Sequence, residues 1–178
     1  MENVFKKGAS HNSFCWENLG NIREGRGDMG ESMPVLVYRL MQFTMLDVLC
    51  KAYNPEKANE HFRDAGFLAG TEFAKNVLDL KTDFNTFVAN LQKALREFKI
   101  GILRMEDFNM ETGEVILNVE QDLDCSGLPI TNENVCSYDE GFIAGILQAY
   151  TGKMYNVREV DCWASGARVC RFKGAVSN

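Results

Sequence analysis

At 178 residues, with 46% apolar and 25% charged side chains, the chain is long enough for one domain with a full hydrophobic core and short for two. Its net charge of −6 and lack of any Lys/Arg-rich run argue against nucleic acid as the main partner, because duplex binding needs a basic face against the phosphates. No apolar stretch reaches the roughly 18–20 residues of a membrane span, and the start, MENVFKKGASHNSF, lacks the apolar core of a signal peptide. The expectation is a cytoplasmic protein whose six cysteines (Cys15, Cys50, Cys125, Cys136, Cys162 and Cys170) are thiols or metal ligands.

Residues 1–30 are polar and Gly-rich and read as a separate N-terminal segment, a possible dimer arm, with a short strand around Phe14-Cys15-Trp16. GRGDMG (Gly25 to Gly30) fits the GxGxxG pattern formally. A dinucleotide loop needs a buried strand before it and a helix directly after, and here polar ENLGNIRE precedes it. A loop leading into a helix is the better reading. Residues 31–178 read as a single domain. Pro34 suits the first turn of a helix that runs to about Tyr53 and is apolar nearly all round, so it is expected to be buried in the core or against a second copy.

Asn54-Pro55 breaks the chain, and a second helix follows in which Ala65, Gly66, Ala69 and Gly70 allow another backbone to approach closely. His61 in this helix reads as an ordinary surface or satisfied side chain. A third helix starts at its cap, Asp83, and runs to Phe98 with Phe84, Phe87, Val88, Leu91 and Leu95 as the core stripe. The period then changes to two, giving a hairpin over 99–108 and 114–121. Residues 122–134 are a polar loop in which Cys125 is expected as an exposed thiol. A fourth helix spans about 134–152, with Gly141, Ala144 and Gly145 as a close-packing face and Gly152 as its stop. A closing hairpin, about 154–162 and 167–173, turns at Ser165-Gly166. The order ααα-ββ-α-ββ predicts an α+β layer of about four helices on an antiparallel sheet of about four strands.

The chemistry gathers at the end of the chain. Cys162 and Cys170 are symmetric about Gly166, Cys136 opens the last helix, and Glu159 lies three residues before Cys162. Thiolates and a carboxylate are good zinc ligands, and four protein ligands make a closed, structural site. Its excess negative charge calls for backbone amides or for Arg168 or Arg171. The residues alone equally allow three buried free thiols or a Cys162–Cys170 cross-strand disulfide.

Cys136-x22-Glu159-x2-Cys162-x7-Cys170, with Gly141 and Gly145, Tyr150-Thr151-Gly152-Lys153 and the ending VDCWASGARVCRF, resembles the 4-vinyl reductase domain family. This is a small-molecule or hydrocarbon-binding domain, also found as the sensor of phenol- and xylene-responsive activators. Tyr38-Arg39-Leu40 is consistent with it. The resemblance implies Cys136, Glu159, Cys162 and Cys170 as zinc ligands, a fold shared with TRAPP subunits and haem nitric-oxide sensors, and a homodimer. Phenol-binding relatives use a histidine and a tryptophan, whereas the matching positions here fall near Phe87 and Val115. A more apolar ligand is therefore expected. Haem is not, because only His11 and His61 are present.

The expected function is thus a non-enzymatic, zinc-stabilised sensor or carrier of a small apolar or aromatic ligand, acting through a separate output partner. Phe84, Phe87, Val115, Leu117, Phe142 and Trp163 are the candidate pocket. The alternatives are a TRAPP-like assembly module without a ligand and a reductase-associated protein of tetrapyrrole metabolism. No catalytic triad or dyad can be assembled from two isolated histidines.

Overall fold

The structure is a computed structural model that describes residues 13–109 and 111–177. It divides into two compact units at Ser32/Met33. In the first unit, a 3-10 turn at Trp16–Leu19 is followed by a helical turn, α1 (Ile22–Gly25). The strand expected at Phe14-Cys15-Trp16 does not form. Cys15 is extended, but its N–H donates to the Asn18 side chain at 2.9 Å and draws the chain into the turn. Gly25 is the last residue of α1 and the run to Gly30 continues from it, so a helical turn and not a strand precedes the glycines. His11 lies outside the described residues.

The second unit contains four long helices and one sheet. They are α2 (Val35–Ala52), α3 (Pro55–Val77), α4 (Phe84–Glu97) and α5 (Ser137–Thr151), with β1 (Ile102–Phe108), β2 (Val115–Glu120), β3 (Tyr155–Asp161) and β4 (Cys170–Val176). Local signals account for the helix ends. Asn54 accepts from Lys57 N at the start of α3, Asp83 accepts from Asn85 N and Thr86 N at the start of α4, and Gly152 closes α5 at φ +74°.

The sheet is antiparallel throughout in the order β1-β2-β4-β3, so the two hairpins join through β2 and β4. In β3, buried Tyr155, Val157 and Glu159 alternate with exposed Asn156, Arg158 and Val160, the period-2 signature of a half-covered sheet. β2, in the interior, buries Asn118 as well as Val115, Leu117 and Val119.

α5 lies at the centre: every residue from Asp139 to Leu147 is buried. It crosses α3 with the backbones in direct contact. A Cβ on Gly66 would collide with the carbonyl oxygen of Tyr138, and one on Gly70 with that of Phe142. In return, a Cβ on Gly141 would collide with the carbonyl of Arg63, and one on Gly145 with that of Phe67. Two glycine pairs, each spaced by four residues, therefore interlock across the crossing.

The expectation that α2 is buried on most sides is not met within the single chain. Gln42 is its one fully buried residue, while Leu36, Leu40, Met41, Met45 and Val48 are exposed. The helix is held from its inner face instead. Tyr38 donates to Asp124 at 2.8 Å, and Arg39 donates to the carbonyls of Leu123 and Ser126, both at 2.9 Å.

Because backbone cannot retreat like a flexible side chain, Gly141→Ala should lower unfolding free energy by about 3 kcal/mol or more in denaturant melts. Ala65→Ser, on the exposed side of α3, should change it by less than about 0.5 kcal/mol.

Candidate metal centre and adjoining cavity

Four fully buried cysteines converge from four separate places: Cys125 after β2, Cys136 at the N-cap of α5, Cys162 beyond β3 and Cys170 at the head of β4. Their sulfur atoms all lie within 4.8 Å of one another. Cys136 Sγ is 3.9 Å from both Cys162 Sγ and Cys170 Sγ, and Cys125 Sγ is 3.0 Å from Cys170 Sγ. Sulfurs bound to one tetrahedral zinc at about 2.3 Å stand roughly 3.8 Å apart. The donor set thus fits a tetrahedral metal ion, and all four cysteines are free thiols rather than disulfides.

The fourth thiol is a correction to the sequence reading. Cys125, expected to be exposed, has no exposed surface and stands nearest Cys170. Glu159 borders the cluster without joining it. Its Oε2 accepts from the Cys136 N–H at 3.1 Å, and its buried Oε1 has no partner among the described residues. Burial pushes the Glu159 carboxyl up to about 8. Its backbone N–H donates at 2.9 Å to Glu140, which also accepts from Arg63 and Arg158, each at 3.2 Å. Glu140 therefore ties α3, α5 and β3 together around the site. Arg168 is exposed, and Arg171 pairs with Glu106 and Asp161, so neither is spent on the thiols.

The thiols share protons. Hydrogen bonds from Cys125, Cys136 and Cys170, with a smaller contribution from the Val135 N–H, pull the Cys162 thiol down; Cys136 and Cys170 are pushed up, chiefly through Cys125. Cation binding requires thiolates, so it is linked to loss of the thiol protons.

Beside the cluster runs an apolar cavity with about 30 Å³ of free space, room for one or two water-sized groups. Of the candidate pocket residues, Phe84, Phe87, Leu117 and Phe142 line it. Val115 is buried in β2 away from this wall. Trp163 lines a separate surface groove, and its Nε1 donates to the Leu128 carbonyl at 3.1 Å. Phe87 stacks on Tyr150 at 3.9 Å and Phe84 on Phe108 at 4.1 Å, closing the end farther along α5.

Two acids that the sequence reading missed, Asp122 and Asp139, also line the cavity. Their carboxylates and Cys136 Sγ lie within 4.8 Å of one another, so cavity and thiol cluster adjoin. Asp122 accepts from Asp124 N at 2.8 Å and Cys125 N at 3.2 Å. Burial, then the neighbouring Asp124, pushes Asp122 up to about 7; burial pushes Asp139 well above the carboxylate range. The sequence signals were present: an acid in the first turn of an otherwise apolar helix, and an Asp three residues before a cysteine.

The segment that carries all four cysteines, Asp122, Asp139 and Glu159 also matches a known domain: residues 115–175 fit the model of the V4R domain. The fold recurs in a vinyl-4-reductase family protein from Methanocaldococcus jannaschii, with TM-score 0.65, 15% identity, and coverage of 96% of this chain and 100% of that one. It recurs in the phenol-responsive sensory domain of the transcription activator PoxR, solved with phenol, with TM-score 0.63, 17% identity, and coverage of 83% and 76%. The trafficking protein particle complex subunit 3 from Naegleria fowleri, covalently bound to palmitic acid, shares it too, with TM-score 0.63, 11% identity, and coverage of 81% and 95%. No described helix is long and apolar enough to cross a membrane.

The geometry separates the two candidate fourth ligands. Cys125→Ser should abolish stoichiometric metal binding in elemental analysis, whereas Glu159→Gln, which keeps an acceptor for the Cys136 N–H, should retain it. Loss in the second and retention in the first would make Glu159 the ligand. Because cysteines bind a cation as thiolates, zinc titration should release protons, and affinity should fall as pH is lowered.

Proposed function

We propose that this protein, with a V4R-type domain, is a cytoplasmic, non-enzymatic sensor or carrier of a small apolar or aromatic molecule. In this reading it is held together by one structural zinc and acts through a separate output protein. The observation that supports it best is the apolar cavity laid along the buried face of α5, directly beside the thiol cluster. A cavity lined by aromatic and aliphatic side chains with two polar groups has the composition of a ligand site. The PoxR neighbour, which responds to phenol, lends the fold a precedent.

Cys125, Cys136, Cys162 and Cys170 would hold the metal. Four thiolates at tetrahedral spacing suit zinc, with iron as the other ion of this donor class. Zinc would supply no reaction here. With four protein ligands and burial of 0–1% exposed surface, no coordination position is open to a substrate. What it would do is tie the loop after β2, the start of α5 and both strands of the last hairpin to one point.

The same reading makes the protein a homodimer through α2. Leu36 and Leu40 lie one turn apart, as do Met41 and Met45, and Val48 extends the stripe; none of these positions is charged. In the single chain all five are more than half exposed, which is costly for a helix this apolar. Pairing with a second copy removes that cost.

A second reading, an assembly module with a vestigial cavity, draws on the small free volume and on the same exposed helix. Native mass spectrometry of protein purified from its own cell distinguishes the two. About one zinc and one small apolar molecule per chain is the expected result. Protein that carries no small molecule but copurifies in defined complexes would favour assembly. For the dimer, Leu40→Glu with Met45→Glu should halve the mass seen by light scattering, and an unchanged mass would remove α2 from the interface.

A further inference from the structure

The surface groove that Trp163 lines is basic in an acidic protein. It encloses about 680 Å³, within the range of small-molecule sites, and its walls come from the start of α2, the α4–β1 junction, the segment after β2 and the turn before β4. Arg39, Lys99 and Arg168 each reach it from a different one of these segments, in a chain whose net charge is −6. None of the three forms an ion pair among the described residues. Arg39 donates to two carbonyls, which are neutral, so its charge stays unbalanced.

Two acids also line the groove, and neither cancels this charge. Glu120 is paired with Arg104 at 2.5 Å. Asp122 is 3% exposed, and its Oδ1 accepts from the Asp124 and Cys125 N–H groups. Three cations against at most one free carboxylate leave an excess of two or more, whichever form Asp122 takes. A concave surface of one sign concentrates ligands of the other.

The backbone of the groove is strained as well. Among the described residues three non-glycines have positive φ, and two of them, Lys99 at +59° and Gln121 at +54°, line the groove. α4 ends in a turn where the Lys99 N–H donates to the Arg96 carbonyl at 3.1 Å and the Ile100 N–H to that of Leu95 at 2.9 Å. The left-handed position of such a turn is ordinarily glycine. Here it is a lysine, which costs stability and gives the groove an ammonium. Outliers of this kind gather at functional sites.

From the unbalanced cations and the strained lysine together, we infer that the groove binds a small molecule carrying two negative charges, a phosphate monoester or a dicarboxylate. Arg39, Lys99 and Arg168 hold its anionic groups. Convergence of cations from three segments on one hollow suits a compact ligand better than an extended acidic peptide. A dianion has no place against the apolar wall of the α5 cavity, so its binding is separate from that of the apolar ligand.

The test is a nuclear magnetic resonance titration of the full chain at low salt and pH 8 with glycerol 3-phosphate, glutarate, butyrate and a tetraglutamate peptide. One of the two dianions should saturate a single site per chain, shift the Trp163 indole N–H, and bind about tenfold or more tightly than monoanionic butyrate. Which of the two binds more tightly tells phosphate from dicarboxylate. Lys99→Gly and Arg168→Ser should each weaken that binding about threefold or more. Lys99→Gly should melt no lower than the parent, because glycine relieves the left-handed strain, so its loss of binding cannot come from unfolding. Lys153→Ser, which removes a cation outside the groove, should bind as the parent does. No saturable binding of either dianion, or equal weakening in all three variants, overturns the site. Tighter binding of the peptide than of both dianions overturns the small-molecule assignment.

Discussion

Everything in the larger unit depends on how closely α3 and α5 approach. Gly66 and Gly70 on one helix, and Gly141 and Gly145 on the other, bring backbone against backbone with no side chain between them. The crossing fixes the depth of α5, and α5 is the element on which both the thiol cluster and the cavity are built. Cys136 caps its start, Asp139 and Glu140 occupy its first turn, and Phe142, Ile143, Ile146 and Leu147 form the cavity wall. A helix displaced outward by one methyl group would move all of these together.

The first turn of α5 carries more buried polar chemistry than a helix of this apolarity would tolerate unaided. Each group there has a different answer. Glu140 is satisfied by Arg63, Arg158 and the Glu159 N–H. The Cys136 N–H is satisfied by Glu159. The thiols have one another, a poor arrangement for four weak acids and a good one for a cation. Asp139 is left without a partner. Satisfied groups orient the site, and unsatisfied ones mark where something else belongs.

α2 plays a double part. Its inner face reaches the loop after β2 through Tyr38 and Arg39, and so helps place Asp122, Asp124 and Cys125. Its outer face is left apolar. One face of the helix is thus committed to the site, and the other is exposed and apolar.

The sequence by itself determined the long helices, both hairpins and the order of elements, because caps, periodicity and turn residues act between near neighbours. Asn54, Asp83 and Gly152 end their helices as their chemistry dictates. It also carried Cys136, Cys162 and Cys170 as a group, since hairpin symmetry about Gly166 is a local property. Only the tertiary structure decided the rest. Whether α2 is covered depends on what packs outside it, and no periodicity reports that. Trp163 turned to the Leu128 carbonyl instead of the cavity because a 3-10 turn follows Cys162. Cys125 entered the cluster because β2 pairs with β4 and the following loop is held by Tyr38 and Arg39, bringing its sulfur beside a thiol 45 positions away. Distances of that kind are set by the path of a loop, and a loop's path is fixed by contacts that adjacent residues do not encode.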